Sequence, residues 1–195
     1  MSILCYCKFT IFASMKIKSY EIFNDLFKKF NVKVFIKRLD DISSSISGNK
    51  YFKLKYNIVQ AKKKSCKQII TFGGAFSNHI LATSIISKEN NLKSIAFIRG
   101  EEALPLNPTL KLAKSNGMKI LYLSRTEYRN KHNTDFQKKL ISKYNDSYIL
   151  NEGGTNHLAI KGTEEIISDN DSQDYICCPV GTGGTISGII NKSKV

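Results

Sequence analysis

The chain has 195 residues, 42% hydrophobic and 24% charged, so it can bury the core of one sizeable domain or two small ones. Its formal net charge of +14 would suit an anionic partner, but the lysines are spread out rather than clustered. The five cysteines show neither paired metal-ligand spacing nor the density of a secreted disulfide scaffold. The pattern therefore predicts no metal site and favours a reducing cytoplasm.

The N-terminal segment is predicted to lie outside the fold. Residues 3–13 are mostly apolar, but the run is too short to span a bilayer and no basic segment precedes it. Neither a membrane anchor nor a signal peptide is expected. Met15 offers an alternative start, and residues 1–15 are interpreted as a disordered extension.

The rest of the chain alternates between strand and helix patterns. Spacing of apolar residues predicts the following elements in order: helix 20–30, strand 32–38, helix 51–64, strand 69–72, helix 77–90, strand 94–98, helix 108–116, strand 119–123, helix 133–144, strand 148–150, helix 156–168 and strand 175–180. Such alternation favours parallel sheets flanked by helices. A last helix begins after the glycines at 181–184 and has no strand after it, so we expect a C-terminal portion to be missing.

Three turns with glycine precede predicted helices, at 48, at 73–74 and at 181–184. Free backbone N–H groups and the helix dipole favour anions at such positions. For any single loop, the simpler interpretation is that glycine permits a tight turn and binds no anion.

Lys50 follows the first of these turns, Ser47-Gly48-Asn49. A positive charge is disfavoured at the start of a helix, so a buried amine there would have a lowered pKa and could attack an aldehyde. Lysine is abundant in this chain, and an exposed, solvated Lys50 is the alternative.

The second turn ends in Ser77, Asn78 and His79, which place a hydroxyl, an amide and an imidazole at a helix start. Ser77 is a candidate carboxylate ligand or nucleophile, and Asn78 can hold a ring oxygen. Either residue could instead be a simple N-cap. A lone histidine defines neither a metal site nor a catalytic triad. A structural role is therefore favoured for His79 over a catalytic one.

The third turn is Gly181-Thr182-Gly183-Gly184-Thr185. It lacks the lysine of a Walker A loop and the spacing of the dinucleotide-binding pattern. Its backbone N–H groups and two hydroxyls could still cradle one phosphate.

These motifs together resemble the 1-aminocyclopropane-1-carboxylate deaminase/D-cysteine desulfhydrase family, part of the tryptophan synthase β-like, fold-type II pyridoxal-phosphate enzymes. The resemblance covers roughly residues 32–190 and rests on the segments KRLDD, GNKYFKLKYN, TFGGAFSNH, RGE, NPTL, NEGGTNHLAIKG and PVGTGGT. It implies an α/β architecture of two parallel-sheet lobes, the large one incomplete. The small lobe would be residues 54–151, inserted into a large lobe made of 16–53 and 152–195.

The resemblance also implies roles for single residues. Lys50 would form the Schiff base with pyridoxal 5'-phosphate, Asn78 would contact the phenolic oxygen of the cofactor, and the loop from Gly181 to Thr185 would hold its phosphate. Ser77 would act in catalysis and bind the substrate with Asn78 and His79. Phe76 stands where relatives often have a polar residue or tyrosine.

The implied activity is that of a lyase or deaminase acting through an external aldimine on a small amino acid, of the D-cysteine or 1-aminocyclopropane-1-carboxylate type, with a homodimer expected for a full-length form. The residues that decide the substrate are expected in the missing portion, so the substrate stays open. The 195-residue chain alone is predicted to have little or no turnover, because its last crossover helix has no following strand and the large lobe is incomplete. One alternative is a truncated, inactive remnant of such an enzyme. A distant third is a basic nucleic-acid-binding protein, for which the sequence offers no zinc-finger or aromatic-rich RNA-binding signature.

Overall fold

The structure is a computed structural model that describes residues 17–43, 45–46 and 48–193. The predicted extension at 1–15 and Ser47 of the first glycine turn lie outside the described residues. Sixteen helices and strands are assigned within the described ranges, and the parallel sheet among them fixes the position of the site.

The central element is a four-stranded parallel sheet. Its strands are β3 (Gln68–Gly73), β4 (Lys93–Arg99), β5 (Met118–Leu123) and β6 (Ser147–Leu150), in the spatial order β5-β4-β3-β6. The registers pair Ile70 with Ile95 and Ile149. The two central strands are buried on both faces, as near-continuous apolar sequence predicts for a parallel sheet covered by helices.

One helix before these strands and four helices between them cover the sheet. They are α2 (Lys50–Lys63), α3 (Asn78–Glu89), α4 (Pro108–Ser115), α5 (Arg125–Arg129) and α6 (Thr134–Lys143). Alternate residues of β4 pack on opposite faces: Ile95 and Phe97 join Tyr128 and Leu140, while Ala96 and Ile98 join another cluster around Leu110. The sheet therefore has an apolar layer on each side.

Of the other helices, α7 (His157–Glu164) packs closely against both α8 (Gly184–Lys192) and α2. Glycines permit this approach. A Cβ on Gly162 would collide with the carbonyl oxygen of Phe52, and one on Gly188 would lie 2.6 Å from the carbonyl oxygen of Ile160. This packing holds the N-terminal ends of α2 and α8 in a fixed relation.

The N-terminal part differs from the sequence prediction. The segment predicted as helix 20–30 contains strand β1 (Ser19–Ile22) and the short helix α1 (Asp25–Lys29). Strand β1 pairs antiparallel with β2 (Val34–Lys37), so this second sheet is not parallel. The connection between them, residues 23–33, is shorter than the dozen or more residues that a parallel crossover needs.

The predicted strand at 175–180 was also wrong: the segment is irregular, with Tyr175 89% and Val180 65% exposed. Its β-branched and aromatic composition fits a strand, but no neighbouring strand in the described residues offers it hydrogen bonds. The division into lobes at 53/54 and 151/152 stays a prediction. All four parallel strands lie within 54–151, while α2 continues across the first boundary.

Candidate active site

A cavity of about 350 Å³ lies at the carboxyl-terminal edge of the parallel sheet. Ligands of α/β proteins bind at this edge because the loops after parallel strands gather there. The cavity also receives the N-terminal ends of three helices. Its lining residues are Asn49, Lys50, Lys53, Ser77, Asn78, His79, Glu152, Gly153, Pro179, Val180, Gly181, Thr182, Gly183, Thr185 and Ile186.

Helices α2, α3 and α8 begin at the cavity, and none of them has a side-chain cap at its N-terminus. The other α-helices of the described ranges are capped by the side chains of Asn24, Asn107, Ser124, Asn133 and Asn156. The backbone N–H groups of a first helical turn have no intrahelical partner. Without a side-chain cap these groups favour an anion. The cavity thus collects three such ends at one place.

Two lysines lie in this cavity. Lys50 is partly buried, and burial lowers its pKa from the ordinary value. Its Nζ donates a hydrogen bond to Asn49 Oδ1 at 2.8 Å. None of the ion pairs formed by the described residues involves Lys50, so its amine is not neutralised by a carboxylate.

Lys53 is a residue that the sequence interpretation missed. It is only 2% exposed, and its pKa falls to about 8 because of burial and, second, the charge of Lys50. Its Nζ donates to Thr155 Oγ1 at 2.8 Å and to Thr182 Oγ1 at 3.0 Å. The available signal was helical spacing: Lys53 is three residues after Lys50, on the same face, between the apolar Phe52 and Leu54.

The second turn supplies Ser77 and Asn78 to the cavity. Ser77 is at the N-cap position of α3 but makes no cap hydrogen bond, so its hydroxyl remains available to a ligand. Asn78 is exposed at the cavity wall. Phe76, one residue earlier, is 77% exposed.

His79 is 2% exposed, and its pKa is lowered to about 3 by burial and by the charges of Lys50 and Lys53. Thr71 Oγ1 lies 2.7 Å from His79 Nε2 and donates to the carbonyl oxygen of Leu150 at 2.9 Å. This hydrogen bond fixes the ring against β3, and the imidazole is neutral. A structural, orienting role therefore agrees with its surroundings, and substrate binding by His79 stays a prediction.

The third turn also lines the cavity. Gly181, Thr182, Gly183 and Thr185 line it. Gly184 does not: it is buried, and a Cβ there would lie 3.0 Å from the Thr155 side chain and 3.1 Å from Lys53 Cε. Absence of a side chain at 184 therefore lets Lys53 reach the loop.

Glu152 was not singled out from the sequence. It is in the loop after β6 and contributes a carboxylate to the cavity wall. Its Oε2 lies 3.4 Å from Lys131 Nζ, and this ammonium also lies 4.7 Å from the centre of the Tyr128 ring. The cation partly offsets the charge of Glu152, so Lys50 and Lys53 keep the cavity favourable to anions.

The fold and this cavity define an α/β protein that combines a glycine-rich loop at an uncapped helix start with a lysine amine of lowered pKa. The chain belongs to the pyridoxal-phosphate dependent enzyme family, whose model matches residues 21–194. The family resemblance and the cofactor class inferred from the sequence are thereby confirmed. The roles of the individual cavity residues stay predictions.

Relatives point to one branch of this family. A putative 1-aminocyclopropane-1-carboxylate deaminase of Thermotoga maritima is 35% identical over 185 residues, which cover 90% of this chain and 59% of that protein. A mitochondrial bifunctional D-cysteine desulfhydrase/1-aminocyclopropane-1-carboxylate deaminase of Arabidopsis thaliana is 29% identical, covering 80% of this chain and 44% of that protein. The chain thus spans about half the length of the curated relatives it matches.

Solved structures agree on the fold. The crystal structure of a 1-aminocyclopropane-1-carboxylate deaminase homologue matches with a TM-score of 0.76 and 25% identity, over 91% of this chain and 56% of that one. A hydrogen sulfide-producing enzyme of Fusobacterium nucleatum matches with a TM-score of 0.67 and 19% identity, over 91% and 58%. The predicted fold-type II architecture is confirmed. Among the described residues, no helix is both long and apolar enough to cross a membrane.

Proposed function

We propose that this chain holds pyridoxal 5'-phosphate in the described cavity and forms the corresponding part of a deaminase or desulfhydrase that acts on a small amino acid. The observation that supports this most is the convergence of Lys50, Asn78 and the loop from Gly181 to Thr185 on one cavity. One cofactor requires an amine for its aldehyde, a partner for its ring and donors for its phosphate at the same time.

The residues present fit such a cofactor. The volume of about 350 Å³ lies in the range of roughly 300–1,000 Å³ typical of small-molecule sites. The phosphate would lie against the N-terminus of α8, with the hydroxyls of Thr182 and Thr185. The ammonium of Lys53, already bonded to Thr182, would supply the positive charge for it.

The bonding of the two lysines supports Lys50 as the residue that holds the aldehyde. Lys53 donates to both Thr155 and Thr182, so its amine is committed to the phosphate side. Lys50 donates only to Asn49 in the described residues, and burial favours its neutral form. A neutral amine is the nucleophile that attacks an aldehyde.

The substrate would lie beside Ser77, Asn78 and the first turn of α3, where the Ser77 hydroxyl and free backbone N–H groups can bind a carboxylate. When bound, the cofactor withdraws electrons from the substrate carbon that carries the amino group. Ser77 is also the proposed catalytic residue next to that carbon. The names of the Thermotoga maritima and Arabidopsis thaliana relatives support D-cysteine or 1-aminocyclopropane-1-carboxylate as the substrate type.

Cytoplasmic location and a homodimer complete the proposal for the whole protein. The described cysteines, Cys66, Cys177 and Cys178, are all free, which agrees with a reducing compartment.

The direct test adds pyridoxal phosphate to the purified 195-residue chain and follows the visible absorbance of the bound cofactor. Reduction with borohydride followed by peptide mass spectrometry locates the modified lysine. We expect modification at Lys50, and loss of the absorbance in Lys50→Ala but not in the control Lys63→Ala, an exposed lysine on the same helix. Modification of scattered surface lysines at equal levels would contradict the proposal.

Turnover is measured separately from binding, with D-cysteine and 1-aminocyclopropane-1-carboxylate as alternative substrates and with ammonia and sulfide as products. Cofactor binding is expected to depend on Lys50, Asn78 and the loop from Gly181 to Thr185, all of which the structure describes. The chain covers 59% of the Thermotoga maritima relative, so binding without turnover would support the cofactor site and the predicted inactivity of this chain alone. Lys50-dependent turnover of roughly 1 per second or more would support activity of the chain itself.

A further inference from the structure

Asn49 occupies the N-cap position of α2 but does not cap the helix. Asparagine at this position ordinarily accepts a hydrogen bond from a backbone N–H group of the first turn. Here Asn49 has helical backbone angles, φ −62° and ψ −13°, and makes no such bond. Its side chain lines the cavity instead, so the amide has other partners.

The two ends of the Asn49 amide bond to two different parts of the site. Nδ2 donates to Thr185 Oγ1 at 2.7 Å, and Oδ1 accepts from Lys50 Nζ at 2.8 Å. An ammonium group has no lone pair and can only donate. The oxygen of the amide must therefore face Lys50, which leaves the nitrogen for Thr185 and fixes the orientation of the amide.

We propose that Asn49 is a positioning residue that orients the Lys50 amine and connects it to the phosphate-binding loop through Thr185. The inference rests on the proposed function, because Lys50 must be the reacting amine. It goes beyond that function by assigning a task to Asn49, a lining residue that the proposed function does not use.

The chemistry of the neutral amine explains how the orientation works. After losing a proton, the Lys50 nitrogen has two N–H bonds and one lone pair. One N–H remains directed to Asn49 Oδ1, since two lone pairs facing each other repel. The lone pair is then turned away from Asn49 Oδ1, so it remains available to an aldehyde in the cavity. A neutral amide achieves this without the negative charge of an aspartate, which would favour the protonated lysine.

The connection to Thr185 makes the orientation dependent on the loop. Thr185 is 8% exposed and belongs to the first turn of α8. Its hydroxyl anchors Nδ2 of the Asn49 amide, and without that anchor the amide could rotate about its terminal torsion. The Asn49 side chain thus links the position of the loop to the orientation of the Lys50 amine.

The test compares two aldehydes on the full 195-residue chain: pyridoxal phosphate and pyridoxal, which lacks the phosphate. The measured quantity is the rate of adduct formation at Lys50 as a function of pH, by absorbance and borohydride trapping. Asn49→Ala should slow the reaction with both aldehydes by about fivefold to tenfold, as expected for loss of one hydrogen bond. Asn49→Asp should move the pH midpoint for pyridoxal upward by about one unit or more.

Thr185→Val keeps Asn49 but removes its anchor, and it should slow the pyridoxal reaction in the same direction as Asn49→Ala. This variant decides the question if Asn49→Ala does not fold, with circular dichroism as the check. Lys63→Ala is the control for general effects of substitutions on α2 and should react like the wild type.

The outcomes separate the two proposals. Wild-type rates and pH profiles in both Asn49 variants, with Lys50 still modified, would overturn the positioning role alone. Effects confined to pyridoxal phosphate would also overturn it, because Asn49 would then act on the phosphate and not on the amine. No Lys50 adduct in the wild type with either aldehyde would overturn the cofactor site and this inference together.

Discussion

Replacement of Lys53 by methionine should stabilise the chain in the absence of an anion. Lys53 is 2% exposed, and its ammonium has no carboxylate partner among the ion pairs of the described residues. Its pKa falls from 10.5 to about 8 in the folded state. At about 1.4 kcal/mol per pKa unit, this difference corresponds to about 3 kcal/mol of folding free energy lost at neutral pH.

Two hydrogen bonds partly offset that loss. Lys53→Met removes the donor to Thr155 and Thr182, but these two hydroxyls also bond to each other at 2.5 Å and stay satisfied. At about 1 kcal/mol for each lost bond, the net gain is about 1 kcal/mol. Methionine has nearly the length of lysine without its charge, so packing changes little.

The pH dependence has a definite sign. Lysine titrates near 10.5 in the unfolded chain and near 8 in the folded chain, so between these values the unfolded state binds more protons. Stability of the wild type relative to Lys53→Met should therefore rise as the pH increases from about 8 to about 10.5, and stay lowest below about 8.

The assay is urea denaturation of both variants in an amine buffer without phosphate, across this pH range. Lys63→Met, at an exposed position of the same helix, is the control and should change stability by less than about 0.5 kcal/mol. Addition of pyridoxal phosphate should stabilise the wild type more than Lys53→Met. A Lys53→Met protein that is less stable at neutral pH, with an unchanged pH dependence, would refute the reasoning.

Three further substitutions test the packing that holds the site, each by chemical denaturation. Gly188→Ala should cost roughly 1–3 kcal/mol or more, because the new methyl group meets Thr163 between α7 and α8; a neutral result would mean that these helices separate easily. Phe72→Ala, at 1% exposure, should cost about 3–5 kcal/mol, whereas Leu104→Ala, at 76%, should cost almost nothing; equal effects would contradict the assigned core. Asn156→Ala removes the cap of α7 and should cost about 1–2 kcal/mol; no change would show that the cap contributes little.

The parallel sheet was predictable from local sequence, and the proposed site residues were chosen from the same kind of local pattern. Buried parallel strands need continuous apolar residues and long helical crossovers, and both features are visible along the chain from Gln68 to Leu150. Glycine turns before helices indicated the helix N-termini that line the cavity. Apolar strands and glycine turns can be recognised in short segments, because burial of a strand and the start of a helix each depend on a few consecutive residues.

The errors lie where partners distant in sequence decide the structure. Residues 175–180 have the composition of a strand, yet a strand forms only beside another that takes up its hydrogen bonds. Residues 19–22 form one by pairing with 34–37, which overrides the helical pattern read from the sequence. Lys53 was overlooked because its burial depends on Thr155, Thr182 and Gly184, which are about 100 or more residues away in sequence.

The three uncapped helix ends have a consequence for how the chain responds to its surroundings. Anionic groups bound in the cavity would supply acceptors to the first turns of α2, α3 and α8, so the stability of three separate parts of the chain would depend on what occupies it. Stability then becomes a function of concentration, rising by about 2.7 kcal/mol when the anion is present at a hundred times its dissociation constant. The concentration of that anion would thus influence the stability of the folded chain as well as its chemistry.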